Sequence, residues 1–324
     1  MPHPNDAFTP PIALRNPIIQ SVLASSALRA IGPNPMLAAE REVIVDAGGG
    51  VRLQGFLSTH SARPRSLVIL LHGWEGSAAS AYMKRTGRFL YRTGYDVFRL
   101  NLRDHGTSHH LNEGLFLGTL IEEVFAAIRA ISAGAGVRSV LAGFSLGANF
   151  ALRVARRAAV EPVPGLRHIL CVNPPLDPHA STLAIDGIGI FRNYFLKKWK
   201  RSLAIKQSCF PAAYDFSGIL AMRSCMAITD ALMARHTSFA SSREYFDGYT
   251  LTDGRVDRVG VPTTVITAED DPVVPARDFH ALEGVKDLSL IVHRYGGHCG
   301  YIENVLLRSW YQNALAEIVA RVAR

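Results

Sequence analysis

The sequence predicts an α/β fold: a mostly parallel central sheet with helices on both faces, interrupted by a helical insertion. Three observations carry this. Apolar runs of strand length alternate with amphipathic helical stretches over residues 66–172. The alternation stops at Pro174 and resumes at Thr263. Glycine-rich turns follow several of the apolar runs directly, where such folds carry ligands. Repeated strand–helix units imply parallel strands joined by right-handed crossovers.

The elements follow in order. Residues 1–13 hold four prolines and are expected to be loosely ordered, and residues 14–32 read as an arm with amphipathic character (Ile18, Ile19, Val22, Leu23, Leu28). Two short alternating segments, 41–46 and 51–57, flank Gly48-Gly49-Gly50, a hairpin signal. Residues 66–71 form a continuous apolar run, as a strand buried on both faces requires. A helix is expected at 79–93 and a strand at 95–100. Leu117, Leu120, Ile121, Val124, Phe125, Ile128 and Ile131 recur at helical steps. Strands at 137–142 and 168–172 bracket a helix at 149–159. Residues 174–258 are rich in bulky side chains and show no strand rhythm, so they read as a cap inserted over the sheet's carboxyl edge. Strands at 263–267 and 288–292 flank a helix near 276–282, and a last helix carries Ile302, Val305, Leu306, Trp310, Leu315, Ile318 and Val322. The domain division is therefore an arm at 1–40 and one domain at 41–324, with its cap at about 174–258.

Composition excludes several classes. With 324 residues, 48% hydrophobic and 19% charged, the chain buries too much apolar surface to be disordered. No uncharged apolar run approaches the ~18 residues of a membrane span. Four cysteines (Cys171, Cys209, Cys225, Cys299) without a Cys-x-x-Cys pair point to neither a disulfide framework nor a zinc ribbon. The net charge of +8 is scattered, so no nucleic-acid partner and no stable membrane insertion are expected. Its densest cluster, Lys197 to Arg201, reads as a solvated helix face anchored by Trp199. Asp6, Arg15 and Asn16 interrupt any secretory pattern, and a cytoplasmic protein is expected.

The chemistry centres on Gly143-Phe144-Ser145-Leu146-Gly147. This Gly-x-Ser-x-Gly follows an apolar strand and opens a helix, the context of a nucleophile elbow. Ser145 then projects from the sheet edge, and the backbone N–H of Leu146 faces a developing oxyanion. His72-Gly73-Trp74-Glu75-Gly76 also follows a buried strand, where Trp74 N–H supplies a second donor. Serine needs a base, and the base an orienting acid. Glu269-Asp270-Asp271-Pro272 and Gly296-Gly297-His298 follow the next two strands, in the order serine, acid, histidine. Between the adjacent acids, Pro272 biases Asp271 toward an extended backbone, so Asp271 is assigned to the histidine and Asp270 to loop amides. Asp177 is a distant third, and His293 lies inside a strand.

On these motifs the chain resembles the α/β-hydrolase superfamily over about residues 41–324, and within it the YheT-like group of hydrolases. The narrower likeness rests on Asn16-Pro17-Ile18-Ile19-Gln20, Asn101-Leu102-Arg103 and Gly296-Gly297-His298. It implies the α/β-hydrolase fold, carboxylic-ester hydrolysis by Ser145, Asp271 and His298, and an oxyanion hole of Trp74 and Leu146. One departure is that Asp104-His105-Gly106 stands where many members have a glycine after the arginine.

His105, His109 and His110 match no metal-binding spacing and are expected to line the pocket mouth. Neither cofactor nor metal is implied. The expected partner is a small-molecule ester with a short to medium acyl chain, and the oligomeric state is open. Two rival functions remain: an acyltransferase using the same acyl-enzyme, and a non-catalytic binding protein on the same fold.

Overall fold

The structure is a computed structural model that describes residues 8–61 and 65–324. The leader reading at Asp6 and the first part of the proline-rich segment lie outside the described residues. The rest of that segment is held in place, because Phe8 is buried and its N–H donates to His293 Nδ1.

A short 3-10 turn (Ile12–Leu14) leads into α1 (Pro17–Ala24), a second 3-10 turn (Ala27–Ala30) and α2 (Pro35–Ala38). Asn16 caps α1, its side chain accepting from Ile18 N and Ile19 N, and Pro17 sits where no N–H is needed. The arm's expected apolar face is inverted. Gln20 and Ser21 are buried, whereas Ile19 and Val22 are exposed.

The hairpin β1 (Glu40–Asp46) and β2 (Arg52–Ser58) forms as expected, paired in antiparallel register. Then follow β3 (Leu67–Leu71), α3 (Ala81–Arg92), β4 (Asp96–Leu100), α4 (Ile121–Gly134), β5 (Ser139–Phe144), α5 (Leu146–Arg157) and β6 (Leu166–Val172). Five helices without a strand come next: α6 (Pro178–Gly187), α7 (Gly189–Cys209), α8 (Ser217–Leu220), α9 (Cys225–His236) and α10 (Ser242–Asp247). The chain closes with β7 (Thr263–Ala268), β8 (Leu288–His293) and α11 (Tyr311–Ala323).

The eight strands of the described residues form one sheet in the order β1-β2-β4-β3-β5-β6-β7-β8. Pairing is parallel from β4 onward, and β2 is antiparallel to both neighbours. Every residue of β3, β4, β5 and β7 is buried, which explains the unbroken apolar run of β3, while the buried Asp96 and Arg99 of β4 are paired with His60 and Glu40. Two apolar clusters flank the sheet. One includes Ile69, Leu141 and Phe150, and the other Val68, Leu70 and Tyr311.

Three expectations are corrected. Ile302, Val305 and Leu306 do not belong to the last helix. The Asn304 side chain accepts from Leu306 N, Leu307 takes φ 55°, and Ile302 bridges Ser309, so the backbone turns back before α11 begins. Residues 276–282 form a 3-10 helix instead of an α-helix. Leu117 and Leu120 precede α4.

Candidate active site

Ser145 sits at the junction of β5 and α5 with φ 52° and ψ −123°, a conformation that lifts its side chain off the sheet edge. The turn is that tight because the flanking glycines leave no room for side chains. A Cβ on Gly143 would lie 2.3 Å from Gly147 O, and one on Gly147 would lie 2.4 Å from His72 O. Gly143 is therefore required by contact within the elbow and Gly147 by contact with the end of β3 and the loop after it.

Around Ser145 the structure brings together the sequence candidates from the three loops. His298 Nε2 lies 2.8 Å from Ser145 Oγ. His298 Nδ1 lies 2.9 Å from Asp271 Oδ2 and 3.2 Å from Oδ1. A proton on Nδ1 satisfies the carboxylate and leaves the Nε2 lone pair for the serine hydroxyl. The Asp271 side chain is wholly buried. Its Oδ1 also accepts from Val273 N and Val274 N, and its Oδ2 from Asn173 Nδ2 at 2.6 Å.

Asp270 points elsewhere, accepting the Gly297 N–H at 2.8 Å, and burial raises its pKa. Asp177 caps α6 through Ala180 N. His293 accepts from Phe8 N, and burial lowers its pKa to about 4. Cys299 faces Val172 O, and burial holds its thiol well above the usual range.

The backbone N–H groups of Trp74 and Leu146 donate to no partner among the described residues. They flank Ser145 from two loops. Gly73 packs so closely that a Cβ there would lie 3.1 Å from Ser145 Cβ. The Trp74 loop is fixed from behind. His72 Nδ1 lies 2.8 Å from Gly73 O, and its Nε2 accepts from Leu102 N. His105 Nε2 accepts from Glu75 N, and its Nδ1 lies 2.7 Å from Arg103 O. Burial pushes His72 down to about 4 and His105 well below its ordinary value, so both act as neutral hydrogen-bonding posts. This corrects the pocket-mouth expectation for His105 and His109. Both are buried, and His109 Nε2 bonds Ser202 Oγ of α7. Asp104, at the departure from the family pattern, takes φ 57° and is paired with Lys206 of α7 at 2.8 Å.

Three positions escaped the sequence reasoning as site residues. Asn173, directly after β6, holds Asp271 and is itself held by the Tyr301 hydroxyl at 2.9 Å. Ser21 Oγ accepts the His298 N–H at 2.8 Å. Gln20, with no exposure, accepts from Ile302 N and donates to Leu14 O and Ile302 O. The arm therefore grips the histidine loop on both sides of His298. Gly297 permits that approach, since a Cβ there would lie 2.5 Å from Pro17 O.

Two cavities meet at Ser145 and His298. The smaller, about 90 Å³, lies among Phe116, Leu146, Ile185, Leu232, Met233 and Tyr249. The larger, about 640 Å³, runs between α1 and α7 past Val22, Tyr82, Ile190, Phe191 and Tyr194. The Trp74 ring lines both, stacked on Phe195 and edge-on to Trp199 of α7. Trp199 is thus an anchor, as expected, but its neighbour Lys198 is not simply solvated: its ammonium donates to Glu75 O at 2.6 Å.

Comparisons with known proteins agree with this architecture. A model described as "Alpha/beta hydrolase family" matches residues 68–306. A Synechocystis sp. protein carrying the name "Putative esterase slr0264" is 22% identical over 327 residues, covering 92% of this chain and 88% of its own. Among solved structures, a Pyrococcus furiosus esterase superposes with a TM-score of 0.58 at 17% identity, covering 91% of this chain and 96% of its own. A Pyrobaculum calidifontis esterase gives 0.58 at 15% identity, covering 97% and 98%.

Proposed function

This chain belongs to the alpha/beta hydrolase family, and on that footing we propose that it is a serine hydrolase of carboxylic esters. The observation that carries the reading is the unbroken line Ser145 Oγ, His298, Asp271, set beside two backbone donors with no partner among the described residues. Ser145 attacks the ester carbonyl while His298 Nε2 takes its proton. Asp271 stabilises the imidazolium and fixes its orientation. The carbonyl oxygen, now anionic, accepts from Trp74 N and Leu146 N. His298 returns the proton to the leaving alkoxide, which departs and leaves an acyl group on Ser145. Water, deprotonated by His298, then cleaves the acyl-enzyme.

The helices α6 to α10 act as the cap of a single catalytic domain at 41–324. The small apolar chamber they line takes a short to medium acyl chain, because apolar surface there is matched by little room. The larger groove takes the alcohol portion. The alcohol must leave before water attacks, and the groove's rim (Val22, Ile190, Tyr194) is exposed. The Asn-Pro-x-x-Gln arm and the Gly-Gly-His loop, which bond one another here, support placement in the YheT-like group.

The test is fluorophosphonate labelling run beside an ester panel of graded acyl length, with alcohol and thiol acceptors added in parallel. Labelling at Ser145 with release of free acid supports the reading. Transfer to acceptors faster than hydrolysis would make the protein an acyltransferase. Absence of both labelling and turnover would refute catalysis.

A further inference from the structure

Lys198 stands in a groove made largely of apolar and hydroxyl-bearing side chains. It lines the larger cavity with Ile190, Phe191, Tyr194 and Phe195 of the same helix, α7. Among the described residues it is the one lysine or arginine lining that cavity, and no carboxylate lines it. Among the described residues Lys198 has no salt-bridge partner, whereas Lys206, two turns further along α7, is paired with Asp104.

The groups that Lys198 touches, a backbone carbonyl and a phenol ring, carry no formal charge. Its ammonium donates to the Glu75 carbonyl oxygen and lies 5.0 Å from the centre of the Tyr194 ring. Burial pushes the Glu75 carboxyl up to about 8, while the Lys198 charge pulls it the other way. An ammonium carries three donors, and the one spent on Glu75 leaves others for the cavity. A cation beside apolar surface without a counter-charge is unfavourable, and an anion arriving with the ligand removes that cost.

We propose that the preferred ester carries a carboxylate on its alcohol portion, held by Lys198 while the scissile carbonyl lies over Ser145. This rests on the ester-hydrolysis reading and on the alcohol portion occupying the larger groove. It makes Lys198 a specificity-determining residue that reads the leaving group.

The experiment uses pairs of esters with one constant short acyl group. In each pair the alcohol portion ends in a carboxylate or in the primary amide of the same length, and the spacer is graded across the series. The wild type should favour the carboxylate by roughly 10- to 100-fold in kcat/KM at its best spacer, chiefly through KM, as a charge-assisted bond of this kind gives. Lys198→Met should collapse that ratio to about one or below, and Lys198→Arg should retain most of it. Any damage from losing the Glu75 contact falls on both esters of a pair and cancels in the ratio. A wild-type ratio near one at every spacer would overturn the proposal. So would a ratio that survives Lys198→Met, or a preference seen only when the carboxylate is moved to the acyl portion. If Ser145 is labelled and the amides are turned over while the ratio is one, only the Lys198 inference fails. If nothing is labelled or turned over, the hydrolase reading fails and takes this one with it.

Discussion

Exchanging Asp271 for Asn tests the proposed triad where its geometry is most constrained. The carboxylate receives donors on both oxygens: Val273 N and Val274 N on Oδ1, Asn173 Nδ2 and the His298 Nδ1 proton on Oδ2. A carboxamide cannot accept on both sides. If its oxygen stays with the two backbone donors, its NH₂ faces His298 Nδ1 and the Asn173 amide. His298 must then carry its proton on Nε2, so it can no longer accept from Ser145. Asn173 cannot rotate to help without giving up the Tyr301 hydroxyl on its Oδ1. If the carboxamide flips instead, two buried backbone donors lose their acceptor, each at about 1–3 kcal/mol. The first arrangement keeps both backbone donors paired and is therefore favoured, and through it ester turnover at neutral pH should fall by ~10³ to 10⁴ with the fold retained. Asp270→Asn keeps an oxygen for Gly297 N and should cost about tenfold or less. The assay is steady-state turnover of one ester, with fluorophosphonate labelling rates, at equal folded concentration by near-UV circular dichroism. A larger loss from Asp270→Asn than from Asp271→Asn would refute the assignment.

Four further outcomes are expected. Ser145→Ala should abolish fluorophosphonate labelling and lower turnover by several orders of magnitude, and labelling that persists would point to a different nucleophile. Stability should fall on acidification. His72, His109, His168 and His293 are all lowered from 6.5 to about 4 in the folded state, so the unfolded chain binds more protons between those values. Their contribution is complete above pH 6.5 and is lost as pH drops toward 4, with His72 alone worth about 3 kcal/mol; denaturant midpoints that stay flat from pH 7.5 to 4.5 would contradict this. Lys206→Met strands the buried Asp104 carboxylate and should cost about 3–5 kcal/mol in urea unfolding, and a loss under 1 kcal/mol would mean the pair is dispensable. Gln20→Ala leaves the buried Ile302 N–H unpaired, so kcat should fall more than KM rises while stability drops by about 1–3 kcal/mol; unaltered kcat would separate the arm from the histidine loop.

The sheet was legible because most buried strands are short, mainly apolar runs separated by amphipathic helical stretches; local pattern and burial coincide there. The elbow was legible for a related reason, since close approach leaves only glycine at 143 and 147. Failures fell where contacts span the chain. Gln20 meets Ile302 across 282 residues, and nothing near position 20 signals that a glutamine in an apolar helix is the buried residue while Ile19 and Val22 face out. Asn173 gave no signal either, because an asparagine ending a strand resembles any turn residue until Asp271 and Tyr301 are seen on either side of it. The spacing of Ile302, Val305 and Leu306 imitates a helix, and the Asn304 side chain and the positive φ of Leu307 override it.

Contacts between distant parts of the chain hold the site in place. Ser145 is set by the sheet, but the two loops facing it run through Gly73, Gly76, Gly296 and Gly297, where fixing a flexible backbone costs about 1–2 kcal/mol per residue. That order is supplied from outside the sheet. The arm grips the histidine loop through Gln20 and Ser21, and α7 grips the Trp74 loop through Lys198 and the Phe195 and Trp199 rings. The family match begins at residue 68, so the first of these supports lies wholly outside it. The larger groove runs between the same two elements. An occupant of that groove therefore touches the supports of both loops, and substitutions in its walls are expected to register in kcat as well as in KM.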